Sequence, residues 1–252
     1  MAIVLESQSA IAHTTTSDDV TITAPSGIQE GDLLVGFYVC WPGSVSALPI
    51  ASTGFTSYEE YNGSGGDRST AFLTKIATVA DESEANYTIT GSNDAGTEDT
   101  AEFMCRFSGV HADILDVEYS TVSHFIADLN TISPTPQDIT TVTPNAWVIV
   151  FAHHAFGNNV TDVTVPSGYT KIEDAHKDDP WTGNSNGRAF CVAYLEKTTA
   201  GLENPGSFTF TSGSSTDDNN VFTFALKPAS AALPSFHGAN RGIMRGVARG
   251  VG

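Results

Sequence analysis

The sequence predicts an all-β protein built from two similar β-sandwich halves, jelly-roll or Ig-like, followed by an extended C-terminal tail. Three observations carry this. One pattern occurs twice, over residues 1–111 and 112–228. Within each occurrence β-branched and aromatic residues alternate with Thr and Ser, the period and composition of strands on a half-buried sheet. No segment keeps an i, i+3, i+4, i+7 apolar stripe free of Gly, Pro and Thr, so amphipathic helix is not expected.

The elements follow in chain order. Val4-Leu5-Glu6-Ser7 pairs with Asp116-Val117-Glu118-Tyr119, and Asp19-Val20-Thr21-Ile22-Thr23-Ala24-Pro25 with Asp138-Ile139-Thr140-Thr141-Val142-Thr143-Pro144. Leu33-Leu34-Val35-Gly36-Phe37 matches Trp147-Val148-Ile149-Val150-Phe151, and Gly54-Phe55-Thr56 matches Gly168-Tyr169-Thr170 without a slip. The last block pairs Tyr87-Thr88-Ile89-Thr90 with Phe208-Thr209-Phe210-Thr211, then Glu102-Phe103-Met104-Cys105-Arg106 with Thr223-Phe224-Ala225-Leu226-Lys227. Self-similarity of this length marks two copies of one supersecondary unit, each reading as about seven short strands. Stretches without a match, such as Asn62-Gly63-Ser64-Gly65-Gly66-Asp67 and Asp178-Asp179-Pro180-Trp181-Thr182-Gly183-Asn184, have loop chemistry. Units of this size bury a core alone, yet are small enough to share an edge or face; a first strand such as Ile3 to Ser7 is a candidate for donation across the boundary.

Composition sets bounds on partners. Lys plus Arg is 11 against 29 Asp plus Glu, a formal net charge of -18, so the body repels nucleic acid and acidic membrane surfaces. No apolar run reaches the roughly 18 residues of a membrane span. The first residues lack the basic and apolar stretches of a secretion signal, which points to synthesis in a cytoplasm. Cys40, Cys105 and Cys191 are an odd count without C-x-x-C spacing, which favours buried free thiols over a disulfide framework or zinc site.

Candidate chemistry is sparse. His153 and His154 are adjacent in a strand-like run and therefore point to opposite faces, a structural rather than a metal-binding arrangement. His176 with Asp174, Asp178 and Asp179 has metal-ligand residue types in one expected loop, but such acidic clusters are common in the turns of an acidic protein, and no metal or other cofactor is expected. The Asp94 to Asp99 and Asp217-Asp218 loops lack calcium-loop spacing. No nucleophile elbow, zinc-protease helix or phosphate loop occurs, so the expectation is a protein without enzymatic activity. Trp41, before Pro42-Gly43, and Trp181, after Pro180, fall in expected loops, where an aromatic ring either stacks on a sugar or covers the end of a sandwich. Asn62, Asn86 and Asn159 head N-x-S/T triplets that chance supplies in a Thr- and Ser-rich chain.

Residues 229–252 differ from the body. An Ala/Pro linker leads to Arg-Gly-x-x repeated three times, placing Arg241, Arg245 and Arg249 four apart, with no acidic residue after Asp218. Glycine at every fourth position disfavours a free helix. The expectation is a docking segment that orders on a partner: the arginines make bidentate contacts to carboxylates, and Ile243, Met244, Val247 and Val251 supply apolar anchors. An acidic protein neighbour, another copy of this chain included, fits better than RNA, because no aromatic residues interleave the arginines.

Ala24-Pro25-Ser26-Gly27-Ile28-Gln29-Glu30-Gly31-Asp32-Leu33-Leu34-Val35, Thr53-Gly54-Phe55-Thr56, Phe72-Leu73-Thr74-Lys75-Ile76-Ala77 and Arg106-Phe107-Ser108-Gly109-Val110 together resemble a pattern of tailed-bacteriophage virion structural proteins. That pattern runs P-x-G-x-x-x-G-D-L-L, G-W-T, a strand ending near an alanine, and Y-R-G-V; here Phe55 replaces the Trp and Phe107-Ser108 replace Tyr-Arg. The resemblance implies a non-enzymatic virion surface component of β-sandwich modules, made in the host cytoplasm and released by lysis. On the head it would be a capsid cement or decoration protein held by the Arg-Gly tail. On the tail it would be a fibre or adsorption protein binding a host surface glycan or receptor. The implied partners are capsid or tail subunits and copies of the chain itself.

Overall fold

Alternating and continuous apolar runs become eighteen short strands in a computed structural model, which describes residues 1–14, 19–41, 52–58, 69–90, 99–118, 125–126, 131–154, 160–175, 189–211 and 219–229. All the described pairings are antiparallel, and a single 3-10 turn, Val79–Ser83, is the one helical element among the described residues. In the first half these are β1 (Val4–Gln8), β2 (Ala12–Thr14), β3 (Val20–Thr23), β4 (Leu33–Trp41), β5 (Thr56–Tyr58), β6 (Ser69–Ile76), β7 (Asn86–Ile89) and β8 (Asp99–Ser108). The second half holds β9 (Val110–Leu115), β10 (Phe125–Ile126), β11 (Ile139–Thr141), β12 (Ala146–His154), β13 (Asp162–Thr164), β14 (Thr170–Ala175), β15 (Ala189–Lys197), β16 (Gly201–Glu203), β17 (Thr209–Thr211) and β18 (Asn219–Pro228). β9 runs through residues 111 and 112 as one strand of the second half, so the chain passes between halves at Gly109.

Each half has one large sheet. The first is ordered β1-β8-β4-β6-β5 with β2 also on β8; the second is β10-β18-β12-β15-β14 with β9 also on β18. Taken along the chain, β4, β5, β6 and β8 occupy the places of β12, β14, β15 and β18. Register makes the match specific: Phe37 lies between Phe72 and Phe103, and Phe151 between Val192 and Phe222. Phe103 therefore corresponds to Phe222, and Leu5, opposite Phe107, corresponds to Leu115, opposite Leu226. Both correct the pairing read from sequence by two residues. A two-residue shift keeps every side chain on its face, which is why the apolar pattern does not reveal it.

The large sheets pack face to face. One core joins Leu33, Val35, Phe37, Phe72, Phe103 and Phe107 to Trp147, Ile149, Phe151, Phe190, Phe222 and Leu226. Its rings stack across the seam, Phe72 on Phe224 at 4.2 Å and Phe103 near Phe190 at 5.6 Å between centroids. On the outer face of the first sheet the β3-β7 ribbon covers Leu34, Tyr38, Leu73 and Met104. On the second, the β11-β16 and β13-β17 ribbons cover Val148, Val150, Ala193 and Ala225. The order is thus ribbon, sheet, sheet, ribbon, and the halves share a face, with β1 retained in its own half rather than donated. This also corrects the expectation of half-buried strands. Sheets in middle layers are covered on both faces, so β12 is buried at all nine positions, which is what continuous runs such as Trp147 to Ala152 encode.

The outer ribbons differ between halves. β3 pairs Val20 with Ile89 and Ile22 with Tyr87. In the second half Phe210 and Phe208 instead donate their amides to Ile132 and Pro134 at 2.8 and 3.0 Å, whereas Ile139–Thr141 pairs with Gly201–Glu203. The counterpart of β3 is therefore the stretch around Ile132 and Pro134, where Pro134 and Pro136 cannot donate to a ladder. The sequence match of Asp19 to Pro25 with Asp138 to Pro144 joins strands with different partners.

Candidate functional site

Because neighbouring strands in each large sheet alternate in direction, each sheet has two unlike ends. β1, β4, β9, β12, β14 and β17 run one way, and β3, β6, β8, β13, β15 and β18 return. The seam contacts join equal levels of the two sheets, Phe107 meeting Trp147 and Thr70 meeting His153, so both halves point the same way.

One end holds the described termini. The Met1 ammonium donates to the Ala229 carbonyl at 2.7 Å, and the Ala229 amide donates to the Gly109 carbonyl at 2.7 Å. Gly109 has φ 70° and packs so tightly that an added Cβ would lie 2.0 Å from the Ala2 carbonyl oxygen. The tail-bearing chain therefore leaves from a knot of three segments, beside an apolar hollow of about 380 Å³ lined by Met1, Ala2, Pro144 and Pro228.

Polar side chains brace this end. Arg106 Nε donates to Asp32, whose Oδ2 also accepts the Gln29 amide at 2.9 Å, and Arg106 Nη1 reaches the Ser26 carbonyl at 3.1 Å. Asp32 of the G-D pair and Arg106, which directly precedes Phe107-Ser108-Gly109-Val110, thus form one structural device. Register places Ala146 and Ala225 at the corresponding positions, and there Asp116, coming from the end of β9, accepts the amides of Val142 and Thr143 instead. Asp81 takes four donors: Lys75, the Thr78 amide and hydroxyl at 2.8 Å each, and the Tyr87 hydroxyl at 2.9 Å. Burial pushes its carboxyl up, but these donors outweigh burial and hold it at about 2. Burial, then the Asp81 contact, pushes the Tyr87 phenol well above its usual value. The second half repeats the combination from other positions, with Lys197 on Glu203 at 2.9 Å and the Tyr169 hydroxyl 3.4 Å from the same carboxylate.

At the other end β2, β4, β5, β7, β12, β14 and β17 stop, and β3, β6, β8, β13, β15 and β18 begin. Six of the nine internal connections outside the described residues leave from this end and return to it: 15–18, 59–68, 91–98, 155–159, 176–188 and 212–218. Beneath it the core turns polar. Thr70, Thr100, His153, His154, Asn219 and Asn220 are all buried, where the opposite end of these strands carries Phe107, Trp147 and Leu226. Asn220 Nδ2 donates to Thr70 Oγ1 at 3.2 Å, Thr70 lies 3.4 Å from His153 Nδ1, and His154 Nδ1 lies 2.6 Å from Asn219 Oδ1.

The candidate residues are distributed as follows. Trp41 is the last residue of β4, opposite Asp99, so it ends a strand at the loop-bearing end rather than lying in a loop. Trp181, His176, Asp178 and Asp179 lie outside the described residues, as do Arg241, Arg245, Arg249, Ile243, Met244, Val247 and Val251. Asp174 is in β14, paired with Lys171 at 3.0 Å, and not in a loop with His176. His153 faces the seam core and His154 the outer core of its half, on opposite faces. Cys105 and Cys191 are buried free thiols whose pKa burial raises; the Cys40 side chain lies outside the described residues. No cluster of three metal-ligating side chains occurs among the described residues, and no described helix is long and apolar enough to cross a membrane.

Sequence reasoning did not single out Asp116, Glu102 or the Asp81 cluster. For Asp81 a signal existed: Thr78-Val79-Ala80-Asp81 has the spacing of a capping box. Glu102 is wholly buried, and neither carboxylate oxygen has a partner among the described residues. Gly36 makes room for it, since a Cβ there would meet Glu102 Oε1 at 3.1 Å. A search of family models, of curated proteins and of solved structures returned no match for this chain.

Proposed function

We propose that this chain is a non-enzymatic structural protein of a tailed-bacteriophage virion surface, a capsid cement or decoration protein anchored through its Arg-Gly tail. The observation that carries the reading is the polarity of the body. The tail-bearing chain departs at Ala229 from a braced end, while the long connections span from the opposite end some nine residues of β4 away. A body attached through Arg241, Arg245 and Arg249 would present that opposite end outward. The matching order of the two large sheets is what two copies of one module give, and stacking them through a shared aromatic core makes a stiff projection.

A second reading is an adsorption or tail-fibre protein that binds a host glycan, and it draws on the same polarity. Trp41 ends its strand at the loop-bearing end, and Trp181 belongs to the 176–188 connection that spans from there. Removing residues 230–252 tests the anchoring on which the first reading depends. The truncated chain is expected to stay folded, unfolding in one cooperative transition, and to be missing from purified particles; normal incorporation would rule the anchoring out. Host-cell binding by the purified chain, reduced by Trp41→Ala or Trp181→Ala, would favour the adsorption reading.

A further inference from the structure

The seam between the halves opens on one side into a cleft of about 620 Å³. Tyr58 at the end of β5 forms one wall, and Asp113, Leu115, Asp116, Glu118 and Lys227 form the other. Three carboxylates thus stand against one lysine. Lys227 Nζ donates to Asp113 Oδ2 at 3.0 Å on the exposed rim. Asp116 is only 6% exposed; its Oδ2 accepts the Val142 and Thr143 amides at 2.6 and 3.2 Å, while Oδ1 has no partner among the described residues. A buried carboxylate oxygen without a donor is a group that folding leaves unsatisfied and that a bound donor completes.

The chemistry that fits is a flat cation with several donors. A guanidinium bonds two carboxylate oxygens side by side and lies against an aromatic ring, and this cleft offers carboxylates and Tyr58 together. The chain carries such a ligand. Its last residues hold Arg241, Arg245 and Arg249 without an acidic residue, and they begin just beyond Lys227, which itself lines the cleft. At ~3.3 Å per residue the stretch from Ala229 to Arg241 reaches about 40 Å, so returning to the cleft needs no strain. A tethered segment is present at an effective concentration of the order of millimolar, which at micromolar protein favours the chain's own tail over that of a second copy.

We propose that the Arg-Gly segment docks in the seam cleft of its own chain, an arginine bridging Asp116 and Glu118, so that the anchor is parked in the free protein and released on attachment. This rests on reading the tail as the docking segment. Trypsin cleavage of the full chain after Arg241, Arg245 and Arg249, followed by mass spectrometry at low salt, tests it against a synthetic peptide of residues 236–252. Cleavage of the slowest site is expected to be about tenfold slower in the chain than in the peptide, the factor that one charge-assisted hydrogen bond supplies. Protection should be equal across a hundredfold range of protein concentration and lost in Glu118→Gln, an exposed position whose replacement leaves the fold intact by circular dichroism. Equal rates in chain and peptide would overturn the proposal, as would protection that survives both Glu118→Gln and Asp116→Asn. Protection that grows with concentration would overturn it in favour of a second copy. No particles enter the assay, so its failure leaves anchoring to be judged by the truncation.

Discussion

Asp81→Asn isolates one charge whose energetic role follows from its neighbours. The carboxylate is 4% exposed and receives Lys75, the amide and hydroxyl of Thr78, and the Tyr87 hydroxyl. The drop from 3.8 to about 2 is worth about 2 kcal/mol of stability at neutral pH, since each tenfold change in proton affinity is about 1.4 kcal/mol. Below pH 3.8 the unfolded chain takes up a proton here that the native carboxylate still refuses. The native state then binds fewer protons than the unfolded one, so stability is full above that value and is lost as pH falls toward 2. Asparagine keeps the shape and removes the titration. Urea unfolding of both proteins at neutral pH should show a gap of about 2 kcal/mol, closing almost completely near pH 2. A gap of the same size at both pH values would refute the electrostatic account and leave shape as the cause.

Glu102→Met should stabilise the protein at neutral pH by about 1–2 kcal/mol, because it replaces a buried carboxyl that has no partner among the described residues with an apolar side chain of similar volume. Burial raises the Glu102 pKa well above 4.5, so the native state holds a proton that the unfolded chain releases; wild-type stability falls as pH rises above 4.5, and denaturant titrations of the variant should lack that decline. Gly109→Ala forces a side chain into φ 70° and against the Ala2 carbonyl, and should lower stability by at least about 2 kcal/mol in thermal unfolding.

Much of this fold was legible because burial leaves a period. Ile22, Ile89, Val163 and Phe210 alternate with Thr or Asp along ribbons that have one wet face. The matched runs at Leu33 and Trp147 lie at the same level of the two sheets. The stacking of the halves was written in the same runs, whose uninterrupted apolar character requires cover on both faces, but a continuous run does not say which sheet supplies it. Pairing partners were less legible. Phe103 matches Phe222 or Phe224 equally well by type, and only hydrogen-bond register separates residues two apart on one face. The polar braces were hidden for another reason: Asp32 with Arg106 and Asp116 with Val142 meet through tertiary folding, and their functions are exchanged between positions that do not correspond. Of the candidate site residues, Trp41 was assigned to a loop but ends a strand, because Pro42-Gly43 signals a turn without saying where the strand stops.

Anchoring through the Arg-Gly tail would set one end of the body against its support and turn the other outward. Cysteines introduced singly at Ser64, in the 59–68 connection, and at exposed Leu202, near the tail-bearing end, can be labelled with maleimide-gold on intact particles, using the unsubstituted chain as background. Dense labelling is expected at position 64 and little at 202 on particles, with both sites reacting equally in the free protein. Labelling at 202 that matches or exceeds that at 64 on intact particles would contradict it.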